Sequence, residues 1–499
     1  MASNLRRQDT RYTIVLNLKL IYKVIGSLLF LEAFMLLICL VTSICYGEQD
    51  ILAFSLSMAI TIVAGAVLRF LGRDADTAMS LRDAFLLVSA TWTVFSLFGS
   101  LPFMLCGHVT NFTDAFFETM AGFTTTGCSV IDNVDSLPHA LLLWRSITQW
   151  LGGLGIVMFT IAVLPSMVDS SVRMFSAEES GSRWGKMRPR MATMTKYILG
   201  IYIGLNVICA GVYWLLGMDV FDSVNHSMTT VSTGGFSTHN ASMAFFNSHS
   251  IDTATIIFSI IGAMSFSLLY VVLFKGRFRE IIGNTELRFF IGTIIVATAI
   301  IAVFMVAGSH YAVGEAIHNA LFQVVAFVTS TGFFNDDATR WPHLTWAVLS
   351  ICMFVGGCAG STSGGIKCLR VVTVFKVIAN QLTKKLHPRA VLPVKVNGIT
   401  INASEQIDVF AFIAVYIVLC LIATMLLVFM GVDSTNAFTV ALSSACNGGA
   451  AIGPQIGNTM SWASLPLMGK WLCAALMLLG RLEVFNVLVI FTRAFWKDN

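Results

Sequence analysis

Long apolar runs separated by short polar stretches recur from one end of the chain to the other. A bilayer crossing takes roughly 20 apolar residues. On that measure ten runs are predicted spans: 24–46, 51–68, 84–106, 146–168, 197–217, 253–274, 289–307, 344–378, 409–430 and 471–492. None alternates polar and apolar residues at period two, so helices rather than barrel strands are predicted. The first run is too long for a signal peptide and lacks a small-residue cleavage site, so it reads as a retained helix. The eighth is overlong because GGCAGSTSGGIK, residues 356–367, interrupts it with glycine and hydroxyl residues.

Between four pairs of spans lie segments too short and too polar to cross. Aligned on a shared glycine they read DAFFETMAGFTTTGCS from Asp114, DSVNHSMTTVSTGGFS from Asp222, NALFQVVAFVTSTGFF from Asn319 and NAFTVALSSACNGGAA from Asn436. Each begins with Asp or Asn, then Ala or Ser, and reaches Gly127, Gly235, Gly332 or Gly449 thirteen residues later. Those glycines are 108, 97 and 117 residues apart, which marks an internal repeat.

Each part of this unit has a physical role. The opening Asp or Asn reads as an N-cap whose side-chain oxygen satisfies free N–H groups of a first turn. The ten or so residues that follow would make a helix of about 15 Å, half of a 30 Å hydrocarbon core, so it dips in without crossing. The return segments cannot be helical, and such backbone survives at membrane depth only inside protein or around a wet cavity. Glycine permits the positive φ that turns successive carbonyls toward one axis, and carbonyl rings replace the hydration shell of potassium in a filter.

A single copy would read as an ordinary Thr-Gly turn; four copies at one offset argue for a shared ion path. The candidate ion-coordinating residues are Thr124, Thr125, Thr126 and Gly127; Ser232, Thr233, Gly234 and Gly235; Thr329, Ser330, Thr331 and Gly332; and Cys446, Asn447, Gly448 and Gly449. Helix C-termini aimed at such a cavity favour cations over phosphate or chloride.

Every unit runs span, re-entrant segment, span, so all four share one orientation. The predicted fold is therefore an all-α membrane protein of four parallel helix–pore-helix–helix repeats around a quasi-fourfold pore, with two extra N-terminal transmembrane helices. The expected bounds are 1–80 for the extension and 81–170, 190–280, 285–380 and 400–499 for the repeats, the third with a broken second helix.

Composition agrees: 56% of the 499 residues are hydrophobic and 12% charged, at a mean hydropathy of +0.79, against about a quarter charged in soluble proteins. With the N-terminus cytoplasmic, Arg6, Arg7 and Arg11, the cluster Arg173 to Lys196, and Lys367 through Lys395 fall inside, whereas the outside holds Arg145, Arg340 and Lys470. That bias predicts both termini in the cytoplasm. The net charge of +4 reflects it, so no nucleic-acid partner is needed to explain the charge. The eleven cysteines lack a CxxC or metal-ligand spacing and read as buried thiols.

With the four return segments, WRSITQWLGGLGI at 144–156, GGCAGSTSGGIK at 356–367 and GRLE at 480–483, the chain from about residue 84 resembles the TrkH and KtrB potassium-uptake family, on the TrkH side because of its two additional helices. The resemblance implies potassium uptake through one filter per subunit, a homodimer in the bacterial inner membrane and a cytosolic ring of nucleotide-binding regulatory subunits. Potassium is the permeant ligand, and no organic cofactor is expected. Gly127 stands where sodium-admitting relatives tend to have serine, which favours potassium; the fourth segment departs from the others with Asn447.

In the family, the 356–367 segment is an intramembrane loop that obstructs the path and moves on opening. Here that loop comprises Gly356, Gly357, Gly360, Ser361, Thr362, Ser363, Gly364, Gly365 and Lys367. About 12 apolar residues, or roughly 18 Å, precede Gly356, which would set the loop beneath the third filter. Its glycines are expected to make it mobile, its hydroxyls to keep the pore wet, and Lys367 to close it on the cytoplasmic side. The alternative is a glycine-kinked helix packed on a neighbour. Arg481 is expected beside this loop as a positive charge below the filter, or else as a pair with Glu483 or a snorkelling side chain. Glu118, Arg145, Gln149 and His226 read as buttresses and His318 as a surface residue. Symport coupled to protons or sodium is the competing transport reading; Glu32 is the embedded carboxylate it would use. A membrane enzyme would need a nucleophile and base at depth, and no HExxH or GxSxG occurs.

Overall fold

The computed structural model describes residues 16–76, 79–163, 187–309 and 311–496. Arg6, Arg7, Arg11, Arg173, Arg183 and Lys186 lie outside the described residues, so the basic loop 168–196 is described only from Met187 on. Among the described residues the regular structure is helical apart from one antiparallel pair, Lys395–Val396 with Ile399–Thr400. Six helices among the described residues are long and apolar enough to cross a membrane: Leu18–Tyr46, Ile51–Leu71, Leu81–Leu105, Thr195–Leu215, Thr285–Gly308 and Ala403–Phe429. The predicted span 146–168 is helical as His139–Val163, and its last five residues lie outside the described residues.

Two predicted spans are not continuous helices. The run 253–274 is bent by 96° between His249–Gly262 and Phe266–Lys275, and 471–492 by 108° between Leu467–Arg481 and Phe485–Phe491. A break inside a membrane protein must find partners for the backbone groups it frees. At the first break the 356–367 loop supplies them. Gly262 O accepts from Thr362 Oγ1 at 3.0 Å, Ala263 O from Cys358 N at 2.9 Å, and Phe266 N donates to Gly360 O at 3.1 Å. At the second, where Glu483 adopts φ +57°, Leu482 O accepts from Asn486 Nδ2 at 2.8 Å, and the Glu483 side chain pairs with Arg370 at 2.7 Å. The alternative pairing of Arg481 with Glu483 is thus not what the fold uses.

The run 344–378 divides into His343–Val355 and Cys368–Leu386 around the loop. The two N-terminal helices cross closely at Gly26 and Gly65, where a Cβ on Gly26 would lie 2.7 Å from Gly65 O. Close approach through small residues is how helices associate in lipid, where apolar burial gives no drive.

Four shorter helices, Phe112–Phe123, Val220–Val231, Val313–Val328 and Ser434–Cys446, have 12, 12, 16 and 13 residues, or about 18 to 24 Å at 1.5 Å per residue. The repeated Asp or Asn is not their N-cap. Asn111, Asp219 and Asp433 cap the first, second and fourth, three residues upstream, and Ala312 begins the third without a side-chain cap. The repeated residues are one turn inside, where they turn to other partners. Asp114 pairs with Lys470 at 2.6 Å, Asp222 accepts from Thr238 Oγ1 at 2.7 Å, Asn319 donates to Asp336 at 3.2 Å, and Asn436 Oδ1 accepts from Ile456 N at 3.0 Å. In three of the four helices the partner is on the loop that follows the same helix. The repeat signal was correct in spacing and wrong in role. All eleven cysteines, each among the described residues, are free.

Candidate functional site

Just past the end of each short helix comes a residue with left-handed backbone, Thr125, Thr233, Ser330 or Asn447, at φ 52 to 56°, and two residues on comes a glycine, Gly127, Gly235, Gly332 or Gly449, at φ 67 to 83°. The first turn folds loop N–H groups back onto the helix: Thr126 N bonds to Ala121 O at 2.8 Å, Gly234 N to Thr229 O at 2.8 Å, Gly332 N to Ala326 O at 3.1 Å and Gly448 N to Ser443 O at 2.9 Å. With those donors satisfied by the helix, the loop carbonyls are left to face elsewhere.

Their mutual positions close into a ring. A Cβ on Gly127 would lie 1.8 Å from Gly234 O, one on Gly235 1.7 Å from Thr331 O, one on Gly332 2.6 Å from Gly448 O, and one on Gly449 2.2 Å from Thr126 O. First touches second, second third, third fourth, and fourth first, each through the glycine of one loop and the carbonyl just before the glycine of the next. Any Cβ on this ring would strike backbone, which is why all four positions are glycine. All sixteen candidate residues are buried except these four glycines, which are half-buried.

Side chains brace the ring from behind. Gln149 Nε2 donates to Gly234 O at 2.8 Å and its Oε1 accepts from Phe236 N at 3.0 Å. Asn447 Nδ2 reaches Thr126 Oγ1 at 3.0 Å and Met477 O at 2.9 Å, so the departure in the fourth segment serves as a strut to the first. Trp92 Nε1 donates to Phe123 O at 3.1 Å at the end of the first short helix. Glu118 accepts from Ser129 Oγ and Val130 N at 2.9 Å, and His226 Nε2 bonds to Ser237 Oγ at 3.0 Å. Gln323 makes the same kind of contact to Asp336 O at 3.3 Å. Gln323 was missed in the sequence, although it stands four residues after Asn319 as Glu118 and His226 stand after Asp114 and Asp222.

Arg145 joins two units. Its Nε pairs with Glu118 at 3.0 Å, its NH1 donates to Ser237 O at 2.9 Å, and its guanidinium lies 4.2 Å from the Phe236 ring centroid. Both members of the pair are buried, and removing one partner of a buried ion pair costs about 3–5 kcal/mol. Glu118→Gln is accordingly expected to lower the thermal unfolding temperature of the purified protein markedly, and an unchanged unfolding curve would contradict that assignment. Two residues on from Ser237, His239 bonds to Asp222 at 3.0 Å and Asp135 at 3.1 Å. Partial burial draws its pKa down, but these carboxylates outweigh that and hold it above the usual histidine value.

The loop 356–367 is tied to three of the four junctions where a short helix gives way to its return segment. Thr362 Oγ1 donates to Val231 O at 3.1 Å and lies 3.2 Å from Thr233 Oγ1, Gly364 N donates to Ser330 Oγ at 2.6 Å, and Gly365 N to Cys446 O at 3.0 Å. Ser361, Thr362 and Ser363 are buried and bonded to protein, which corrects the expectation that they face water. Lys367 Nζ donates to Ser363 O within the loop itself. Glu286, absent from the sequence reading, accepts from Ala359 N at 2.6 Å and Leu369 N at 3.1 Å. A lone acid at the start of an apolar run was the available signal for it.

Arg481 is 3% exposed and meets the loop directly. Its NH1 donates to Thr362 O at 2.7 Å and its NH2 to Gly152 O at 3.2 Å. It does not snorkel, and among the described residues it pairs with no acid; the two hydrogen bonds of its guanidinium go to carbonyl oxygens.

The TrkH family, described as cation transport protein, has a sequence model that matches residues 51–498. The Trk system potassium uptake protein TrkH of Halomonas elongata is 35% identical over 488 residues, 97% of this chain and 100% of that protein. Its namesake in Escherichia coli K12 is 34% identical over the same shares, 97% and 100%. The crystal structure of the potassium transporter TrkH from Vibrio parahaemolyticus aligns with a TM-score of 0.88 at 32% identity, covering 96% of this chain and 99% of that one.

Proposed function

The chain belongs to the TrkH family of cation transport proteins, the potassium uptake transporters of the Trk system, and from that premise we propose that it carries potassium into a bacterial cell through a carbonyl-lined selectivity filter gated by the 356–367 loop. Family membership makes it a transporter and not an enzyme. Four parallel repeats, 81–170, 190–280, 285–380 and 400–499, surround the path, with 1–80 as an extension. The observation that carries this reading is the closed cycle of glycine against carbonyl at Gly127, Gly235, Gly332 and Gly449.

A bare potassium ion needs oxygen on all sides, and four loops of like backbone around one axis supply it in layers. The loop tied to Thr233, Ser330 and Cys446 closes the path on the inner side, and Arg481 limits how long a cation stays there. Both termini are cytoplasmic, the protein works as a homodimer in the inner membrane, and a cytosolic nucleotide-binding ring controls the loop.

A second reading, proton-coupled symport, draws on Glu32, which is fully buried in Leu18–Tyr46 with neither carboxylate oxygen hydrogen-bonded among the described residues. Purified protein in liposomes separates the two. For a pore, the reversal potential should follow the potassium gradient and ignore an imposed pH gradient. A shift of that potential with pH, abolished by Glu32→Gln, would establish coupling instead.

A further inference from the structure

A second cluster, away from the glycine ring, forms where the helix His249–Gly262 meets the third short helix. His249 opens the helix His249–Gly262, Asp252 follows one turn later on the same face, and His318 reaches them from the helix Val313–Val328. One ligand atom from each of the three lies within 4.8 Å of those of the other two. His318 Nε2 is 3.0 Å from Asp252 Oδ2, and the His249 and His318 rings are edge to face with centroids 4.3 Å apart. His318, read from the sequence as a surface residue, is half-buried and engaged.

We propose that His249, Asp252 and His318 form a binding site for a transition-metal dication of the zinc class, bridging the second and third units. Zinc bonds of about 2.0–2.2 Å to nitrogen and oxygen put neighbouring tetrahedral ligands about 3.3 Å apart. The His318–Asp252 pair is already near that separation, and His249 is exposed, so its ring can swing in to complete the set. Two imidazoles and one carboxylate suit zinc, copper or nickel, whereas calcium and magnesium demand oxygen alone.

The surroundings fit the charge and the geometry. Asp252 Oδ2 also accepts from Asn335 Nδ2 at 3.2 Å, and Asn335 Nδ2 reaches Asn319 Oδ1 at 3.2 Å, which fixes the carboxylate's orientation from behind. The cluster lines a cavity of about 640 Å³ that also takes in Glu315 and Asp336. Water can take the fourth position, and the acidic lining favours a dication over an anion. An ion here would cross-link the start of His249–Gly262 to the third short helix, so occupancy should stabilise the fold.

Zinc titrated into full-length protein purified without a histidine tag tests this by calorimetry and thermal unfolding. One zinc per chain and a raised unfolding temperature are expected. His249→Ala, an exposed position that the fold tolerates, should weaken binding by at least about tenfold and remove the stabilisation, and Asn335→Ala should weaken it by about 10-fold or more through the lost outer contact. His343→Ala should bind as the parent does. Absence of zinc binding, binding undiminished in His249→Ala, or calcium bound as tightly as zinc overturns the proposal.

Discussion

Replacing Gly127 with serine is expected to reduce the preference for potassium over sodium by about tenfold or more, at 1.4 kcal/mol for each factor of ten. Gly127 has φ +83°, and an added Cβ would lie 1.8 Å from Gly234 O. A side chain in left-handed backbone costs about 1–2 kcal/mol before any clash is counted. The oxygen it strikes belongs to main chain and is held from behind by Gln149 Nε2 at 2.8 Å, so the whole second loop must shift. Ion discrimination rests on how those oxygens surround a desolvated ion, and displacing one degrades it. Uptake of potassium and sodium into liposomes by the variant and its parent measures the effect. Gly107→Ser is the control: φ is +77° there, but nothing lies within 4 Å of the added atom. A Gly127 variant as selective as the Gly107 variant would sink the filter assignment.

Arg481→Met is expected to raise basal potassium flux by about tenfold in the absence of any regulatory partner. The guanidinium holds the loop through Thr362 O at 2.7 Å and anchors to Gly152 O at 3.2 Å. A hydrogen bond from a charged group contributes about 1.5–3 kcal/mol, so losing the bond to Thr362 shifts a closed-to-open balance by an order of magnitude or more. Methionine fills similar space without donating or carrying charge. On the proposed reading the change also removes a positive charge from the path, which acts in the same direction. Shortening the loop by deleting residues 359–362 should raise flux as well. Monodisperse Arg481→Met protein whose flux equals or falls below that of the parent would show that the loop is not a gate.

Much of this molecule was legible along the chain because membranes impose a strict code. An unpaired backbone group in lipid is so costly that long apolar runs must be helices, and glycine at a fixed offset from a polar start must mark backbone that helices cannot adopt. That determined the helical membrane fold, the four return segments and the unusual loop at 356–367. It could not reveal which partners satisfy groups freed at a break, since those partners lie about 100 residues away. At the bend after Gly262 and Ala263, Thr362 and Cys358 bond to the released carbonyls. Likewise Asp114, Asp222 and Asn436 look like caps in sequence, yet Asn111, Asp219 and Asp433 take that role, and both choices satisfy the same local preference. Local patterns record what each residue can do; only packing decides which of several bonds it makes, because burial leaves room for one. The ring at Gly127, Gly235, Gly332 and Gly449 and the meeting of His249 with His318 exist solely in three dimensions, where separate stretches of chain share one small volume.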